Sequence, residues 1–435
     1  VGEAGMGMYN GANFASRSNV IFVSINYRLG LMGWFTHPAL KHGDPLDDSG
    51  NYGTLDIIKA LTWVQENISS FGGDPDNVTI AGESAGSYNV YSLMLSPLAK
   101  GLFHQAIAES APPMTIPVEK GQESAQEVLV GLLIEDFEEI ESPEDAEDFI
   151  LRKGYDWVAD YLRSKSTEDI YSILGGGILD LFSPFEDGTV IPENGWSSLI
   201  KGNYNKVPII LGCNKEEIKL FLPFIISDLG NEEMYELIVN FDPDNPDIDF
   251  LDILTLGNIS PLWILLYEPV ASVGSGLFEA IAVDTVASIL VRHQDSVYAY
   301  EFAWDEEPEP FNLLIGAAHA IEIPFIFANF DTSTDSNLRF AWSQKNRPGR
   351  KMLSDAMMTY WCQFIYTGNP NSPDLPVWDI WCNEPEGPKR IILDTGISMS
   401  SQALNAGVLR NKWDELDTKP SLREKLEPLL ELPLY

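Results

Sequence analysis

Gly82-Glu83-Ser84-Ala85-Gly86 sets a serine between two glycines in the pattern of a nucleophile elbow. A serine at the tip of a sharp strand-to-helix turn must take strained backbone angles, and glycines two residues either side let neighbouring backbone pass close by. The hydroxyl is a weak nucleophile until a base takes its proton, so a histidine has to come within reach. Five histidines are available. His37 and His42 precede the serine, and His104 follows it too soon to leave room for an acid-bearing strand. His293 closes a helix-like segment as a surface residue. His319 lies on a loop after a late strand-like run, where a serine–acid–histidine chain order places the base. An acid that orients the imidazole should cap a strand between the two. Asn214-Lys215-Glu216-Glu217 stands at the carboxyl end of such a run, Val207 to Cys213, and position alone leaves both Glu216 and Glu217 as candidates. The chemistry these residue types support is acyl transfer.

The elements that must hold them are legible as patterns. Val20-Ile-Phe-Val-Ser-Ile-Asn-Tyr27 is an apolar, β-branched run that predicts a strand covered on both faces. Thr54 to Ile68 follows with Leu55, Ile58, Leu61, Val64 and Ile68 at helical spacing, then Gly72-Gly73-Asp74-Pro75 breaks the chain before a strand at Val78 to Ala81. Strand, helix, strand is a parallel crossover unit. A helix over Ala85 to Leu95 follows the elbow, and further strands are predicted at Ala106–Glu109, Val207–Cys213, Val297–Trp304 and Arg390–Leu393. The long helical, acidic stretches Glu119 to Leu174 and Phe221 to Leu290 read as insertions that cap one end of the sheet. The expected layout is a single domain over residues 1–435, with 111–205 and 218–295 as cap segments inside it. The acidic patch Glu135 to Asp148 reads as a solvated face.

Composition narrows the partners. With 27 Lys and Arg against 65 Asp and Glu, the net charge is −38, which repels phosphate backbones and anionic lipid. Nucleic acid is excluded, and no uninterrupted apolar run reaches the roughly 18 residues that cross a bilayer. Cys213, Cys362 and Cys382 form neither a metal pattern nor a disulfide framework. Cys213 and Cys362 read as small core residues, and Cys382 is free to pair with one of them. No metal or cofactor is required by the chemistry. Sequons stand at Asn67, Asn77 and Asn258, with meaning only in a eukaryotic secretory setting.

At these residues the chain resembles the type-B carboxylesterases, a family that includes cholinesterases and bacterial para-nitrobenzyl esterases. The likeness runs from Ser24-Ile-Asn-Tyr-Arg-Leu-Gly30 through Gly50-Asn-Tyr-Gly53, Ala60 to Asn67 and Phe71 to Thr79 to the elbow. It returns at Val207 to Glu217, at His319-Ala-Ile-Glu322 and at Thr367-Gly-Asn-Pro370. The resemblance implies an α/β-hydrolase fold: a mostly parallel sheet with helices on both faces and a large helical cap. It places the catalytic acid on Glu217 and the base on His319, and gives Glu83, Glu322, Gly82 and Gly86 supporting roles. Arg28 and Asp74 look like a structural pair beneath the sheet edge.

One family block has no counterpart here. The H-G-G-G-F-type loop, whose N–H groups supply most of the oxyanion hole, would precede Val1-Gly2-Glu3-Ala4-Gly5, and only the Ala85 N–H can be assigned as a donor. Each such donor is worth about 10²- to 10³-fold in rate. The expectation is a native product longer at its N-terminus, or a second chain that supplies the missing part. The activity implied is hydrolysis of small-molecule esters through an acyl-enzyme. The alternative is a catalytically inactive cholinesterase-like adhesion protein, or an inert fragment. Trp263, Phe278 and Phe325 are candidates to line the substrate pocket, against the plainer reading of core packing.

Overall fold

The computed structural model describes residues 7–173, 183–222, 261–333 and 338–416, with scattered positions between 236 and 252 and single residues at 336 and 430. Its centre is a six-stranded sheet whose spatial order follows the chain: β1 (Thr79–Glu83), β2 (Gln105–Glu109), β3 (Ile209–Asn214), β4 (Val297–Phe302), β5 (Arg390–Leu393) and β6 (Ser398–Ser400). The first five run parallel and β6 returns antiparallel to β5. The strand β6, polar and three residues long, carried no pattern that sequence reading could detect.

Alternation along the strands divides the core. Ala106, Ala108, Ile209, Leu211, Cys213, Val297 and Ala299 point to one face. There they meet the helix α1 (Tyr52–Asn67), the helix α2 (Ala85–Leu95) and the long helix α3 (Pro261–Glu279). Ile107, Ile210, Tyr298, Tyr300, Phe302, Ile391 and Leu393 point to the other, against Leu353, Met357, Trp361 and Phe364 of helix α4 (Arg347–Thr367). Strands covered on both faces need no polar alternation, which is why they read as continuous apolar runs. A separate apolar cluster joins helices within 118–164 to Leu31.

Two expectations are corrected. Val20 to Tyr27 is not a strand of the sheet, and Ile21, Phe22 and Val23 are 43%, 39% and 43% exposed. Propensity alone does not make a strand, which also needs a neighbour's ladder, and among the described residues β1 pairs with β2 alone. Arg28 does not pair with Asp74. Its Nε and Nη2 both donate to the Asp56 carboxylate at 2.8 Å, while Asp74 accepts from the Asp76 N–H within its own turn. Asp56 wins because it projects from the first turns of α1 towards the arginine, whose backbone N–H it also accepts. Leu265–Leu290 is long and apolar enough to cross a membrane by length and composition. Glu268, Glu279 and Asp284 interrupt it, so it shows no uninterrupted run, and 78% of its most apolar window is buried within the protein.

Cys213, Cys362 and Cys382 are all free thiols, so Cys382 pairs with neither of the others. The acidic patch 135–148 splits between two helices. Ser142 caps the second by accepting from the Asp145 N–H at 3.2 Å, with Glu144 and Asp145 at its positive end.

Candidate active site

The elbow has the strain its chemistry requires. Ser84 sits between β1 and α2 with φ 56° and ψ −118°, a left-handed φ rare for a residue with a Cβ. Its N–H is anchored on the Glu109 carbonyl at 2.9 Å, and its own carbonyl accepts from the Ser87 N–H at 2.9 Å. The two glycines are not equivalent. A Cβ on Gly82 would stand 2.4 Å from the Gly86 carbonyl carbon and oxygen, whereas one on Gly86 would meet nothing within 4 Å. Gly82 is the residue that lets strand and helix approach. Ala85 opens α2, so its N–H has no intrahelical acceptor and is left for an external oxygen.

Glu217 and His319, the candidate acid and base, meet although 102 positions separate them in the chain. Glu217, 1% exposed, follows β3, and its Oε2 lies 2.5 Å from His319 Nδ1. Its Oε1 accepts from the Asn214 N–H at 2.7 Å, which fixes the carboxylate from behind. Of the two neighbouring candidates, Glu217 therefore reaches the imidazole. The ring of Phe221 covers His319, with centroids 5.7 Å apart.

The remaining contact departs from expectation. His319 Nε2 faces Glu83 Oε1 at 3.0 Å, and among the described residues the Ser84 hydroxyl makes no hydrogen bond. The structure thus joins Glu217, His319 and Glu83, with Ser84 next in the chain to the last of them. Tyr9 donates its hydroxyl to Glu83 Oε2 at 3.4 Å.

Glu322, fully buried, accepts from Asn214 Nδ2 at 2.5 Å and from the Ser110 hydroxyl at 3.4 Å. Asn214 Nδ2 also donates to the Ala318 carbonyl at 2.6 Å. Asn214 thus ties Glu217 through its backbone N–H, and Glu322 and the residue before His319 through its side-chain amide. Ser110 and Ala320 join Ser84 in adopting positive φ, so three non-glycine residues around one site carry backbone strain.

A further carboxyl was not anticipated. Glu109 ends β2 directly across from Glu83 and accepts from Trp361 Nε1 at 3.1 Å. Its signal in sequence was only a carboxylate at the end of the strand adjoining the elbow. Asn214 was visible as part of the loop but not as its hub. Burial pushes the Glu109 carboxyl up to about 8, with the Glu83 charge adding to the rise. Burial likewise raises Glu83 and Glu322 above the usual carboxyl range, each aided by nearby carboxylates. For His319 burial works to lower the pKa, but the charges of Glu83 and Glu217 outweigh it and lift the ring to about 10.

The other histidines serve local structure. His37 Nδ1 caps the Ala39 N–H, His104 Nδ1 accepts from the Val78 N–H, His293 Nε2 meets the Ile200 carbonyl and His42 lies beside Asp47. No group of three His, Cys, Asp or Glu able to hold a metal ion occurs among the described residues. Phe278 and Phe325 are packed into the two core clusters. The Trp263 side chain and Asn258 lie outside the described residues.

A nucleophile elbow after one strand, with acid and histidine loops beyond the carboxyl ends of later parallel strands, defines an α/β-hydrolase. Residues 1–243 and 267–405 match the Carboxylesterase family, and the chain belongs to it. It is 30% identical over 399 residues to the para-nitrobenzyl esterase of Bacillus subtilis, covering 91% of this chain and 73% of that protein. To the human cocaine esterase it is 30% identical over 395 residues, with 87% of this chain and 64% of the relative covered. A solved carboxylesterase from Geobacillus stearothermophilus superposes with a TM-score of 0.64 at 27% identity, covering 95% of this chain and 79% of that one. The chain therefore spans less than two thirds of the human relative's length.

Proposed function

We propose that the protein hydrolyses small carboxylic esters through an acyl-enzyme, with Ser84 as nucleophile, His319 as general base and Glu217 as the acid that orients it. The observation that carries this reading is the 2.5 Å contact between His319 Nδ1 and Glu217 at the rim from which the strained Ser84 projects. In the neutral ring this contact favours the tautomer with the proton on Nδ1, which leaves Nε2 as the basic nitrogen.

In the reaction, the imidazole first gives up to solvent the Nε2 proton it holds against Glu83; the neutral ring then turns from Glu83, and Nε2 takes the Ser84 proton as Oγ bonds to the ester carbonyl carbon. The Ala85 N–H donates to the oxygen on which charge develops. The tetrahedral species collapses, the C–O bond to the alcohol breaks, and His319 returns its proton to the departing oxygen. Water then repeats the sequence on the acyl-enzyme and frees Ser84 with the carboxylic acid. Glu322 and Asn214 hold the frame in which the imidazole turns. Residues 111–205 and 218–295 are read as the cap segments that shape the acyl and alcohol pockets.

Hydrolysis of a short p-nitrophenyl ester, compared between the wild type and Ser84→Ala, tests the assignment. The alanine variant is expected to lose at least about 10³-fold in kcat, the scale on which removal of a triad member acts. Equal rates would remove Ser84 from the mechanism. Absence of turnover in the wild type would favour the binding-protein alternative.

A further inference from the structure

Glu216 touches neither the imidazole nor the nucleophile, yet it is built into the junction between the two catalytic loops. The acid loop, Asn214 to Leu220, and the histidine loop, Phe311 to Ala320, must keep a register that holds Glu217 2.5 Å from His319. Glu216 and Ala317 are fastened to each other twice. The Glu216 N–H donates to the Ala317 carbonyl at 3.0 Å, and the Ala317 N–H donates to Glu216 Oε2 at 3.0 Å. His319 follows two residues later in the chain.

The other oxygen of the same carboxylate is also taken. Lys219 Nζ lies 2.7 Å from Glu216 Oε1 and 2.8 Å from Glu268 Oε1 on α3, and it donates to the Leu313 carbonyl at 3.0 Å. Its side chain is 3% exposed and that of Glu216 16%. The loop is shaped around this carboxylate: Gly316 has φ +53°, and a Cβ there would lie 2.1 Å from Glu216 Oε2.

Burying a lysine and a carboxylate costs several kcal/mol of lost hydration per ion, so such a pair is a poor stabiliser and a better locator. We infer that Glu216, locked by Lys219, is a positioning residue: it sets the register between the acid loop and the histidine loop and so the Glu217–His319 distance. The inference rests on the Ser84–His319–Glu217 reading. No bond to the substrate involves Glu216. Its effect on rate comes through the imidazole, where a misplacement of about 1 Å costs up to about 10²-fold.

The experiment pairs kinetics on a short p-nitrophenyl ester with low-field proton NMR of the resting protein, in which the His319 Nδ1 proton shared with Glu217 resonates far downfield. Glu216→Ala is expected to lower kcat by about 10- to 100-fold with KM changed by less than about threefold. The downfield resonance should move upfield or broaden away. Glu216→Gln keeps an oxygen for the Ala317 N–H and should recover most of both signals. Glu216→Asp keeps the charge for Lys219 but falls short of Ala317; it should lose the resonance while remaining folded, which covers the case that the alanine variant does not fold.

An unmoved resonance in Glu216→Asp overturns the inference, as does a glutamine variant no better than alanine. The two readings fail separately. Full activity in Ser84→Ala would refute the triad and leave the resonance result standing, whereas an inert Ser84→Ala with an unmoved Glu216→Asp resonance refutes only the positioning role.

Discussion

Replacing Glu83 by glutamine should move the pH at which catalysis switches on. The carboxylate sits 3.0 Å from His319 Nε2, and both side chains are largely shielded from water at 5% and 12% exposure. At an effective dielectric of about 20, unit charges this close attract by about 5 kcal/mol, an upper bound that burial of the pair offsets. Opposite charges at such range typically shift a pKa by about 1–3 units, or about 1.4–4 kcal/mol. The wild-type imidazole, lifted to about 10, holds its proton through neutral pH, so kcat/KM should climb on the alkaline side. Glu83→Gln removes the charge while keeping the shape, and the rising limb should fall by about 1–3 pH units.

Stability follows the same linkage. A folded-state pKa above the ordinary 6.5 contributes stability that is complete below about pH 6.5 and is lost as pH rises through about 10. The variant should therefore lose stability mainly on the acid and neutral side. The assay is initial-rate hydrolysis of p-nitrophenyl acetate across the pH range, read at the isosbestic wavelength of the product, with spontaneous hydrolysis subtracted. A limb that stays in place, or moves to higher pH, would mean that Glu83 does not govern the His319 proton.

Other substitutions probe the supports. Gly82→Ala should cost about 1–3 kcal/mol in chemical denaturation, because its Cβ is driven into the Gly86 backbone, while Gly86→Ala should be far milder; comparable losses would contradict the asymmetry. Asn214→Ala removes the donors to Ala318 and Glu322 in a fully buried setting and should cost about 1–3 kcal/mol with a matching fall in kcat, so a loss near zero would deny it the hub role. Asp56→Ala should destabilise by less than about 1 kcal/mol, since the Arg28 side chain is 51% exposed, and Asp74→Ala should leave Arg28 undisturbed; a larger effect at Asp74 would restore the pairing expected from sequence.

What could be read from sequence was what is local or what recurs in the family. The elbow is a five-residue signal, and the helix Ala85–Leu95 was legible residue for residue, because turn chemistry and periodicity are written into adjacent positions. The strands β2 to β5 were found because burial on both faces leaves an apolar record, whereas β1, only partly buried, was found from the glycine break before it and the elbow after it. The misses concern partners. Val20 to Tyr27 has the composition of a strand, but no sequence pattern says whether a neighbour lies alongside. Arg28 could have met Asp56 or Asp74, and only the direction of α1 decides. Glu109 comes beside Glu83 through the pairing of β1 with β2, which neither strand encodes alone. The choice between Glu216 and Glu217 needed the family likeness, and the separate use of Glu216 needed the coordinates of a loop far along the chain.

The agreement between strand order in space and strand order in the chain bears on how the protein is made. Because β1 through β6 lie side by side as they are translated, each strand leaving the ribosome finds its docking edge already present. Assembly can proceed in one direction, without any strand waiting for a later one to be inserted between it and its neighbour. The vulnerable interval is the long insertion between Glu109 and Ile209, when β2 offers an uncovered apolar edge. Slowing translation after Ile209, once β3 covers that edge, should be tolerated better than slowing it just after Glu109.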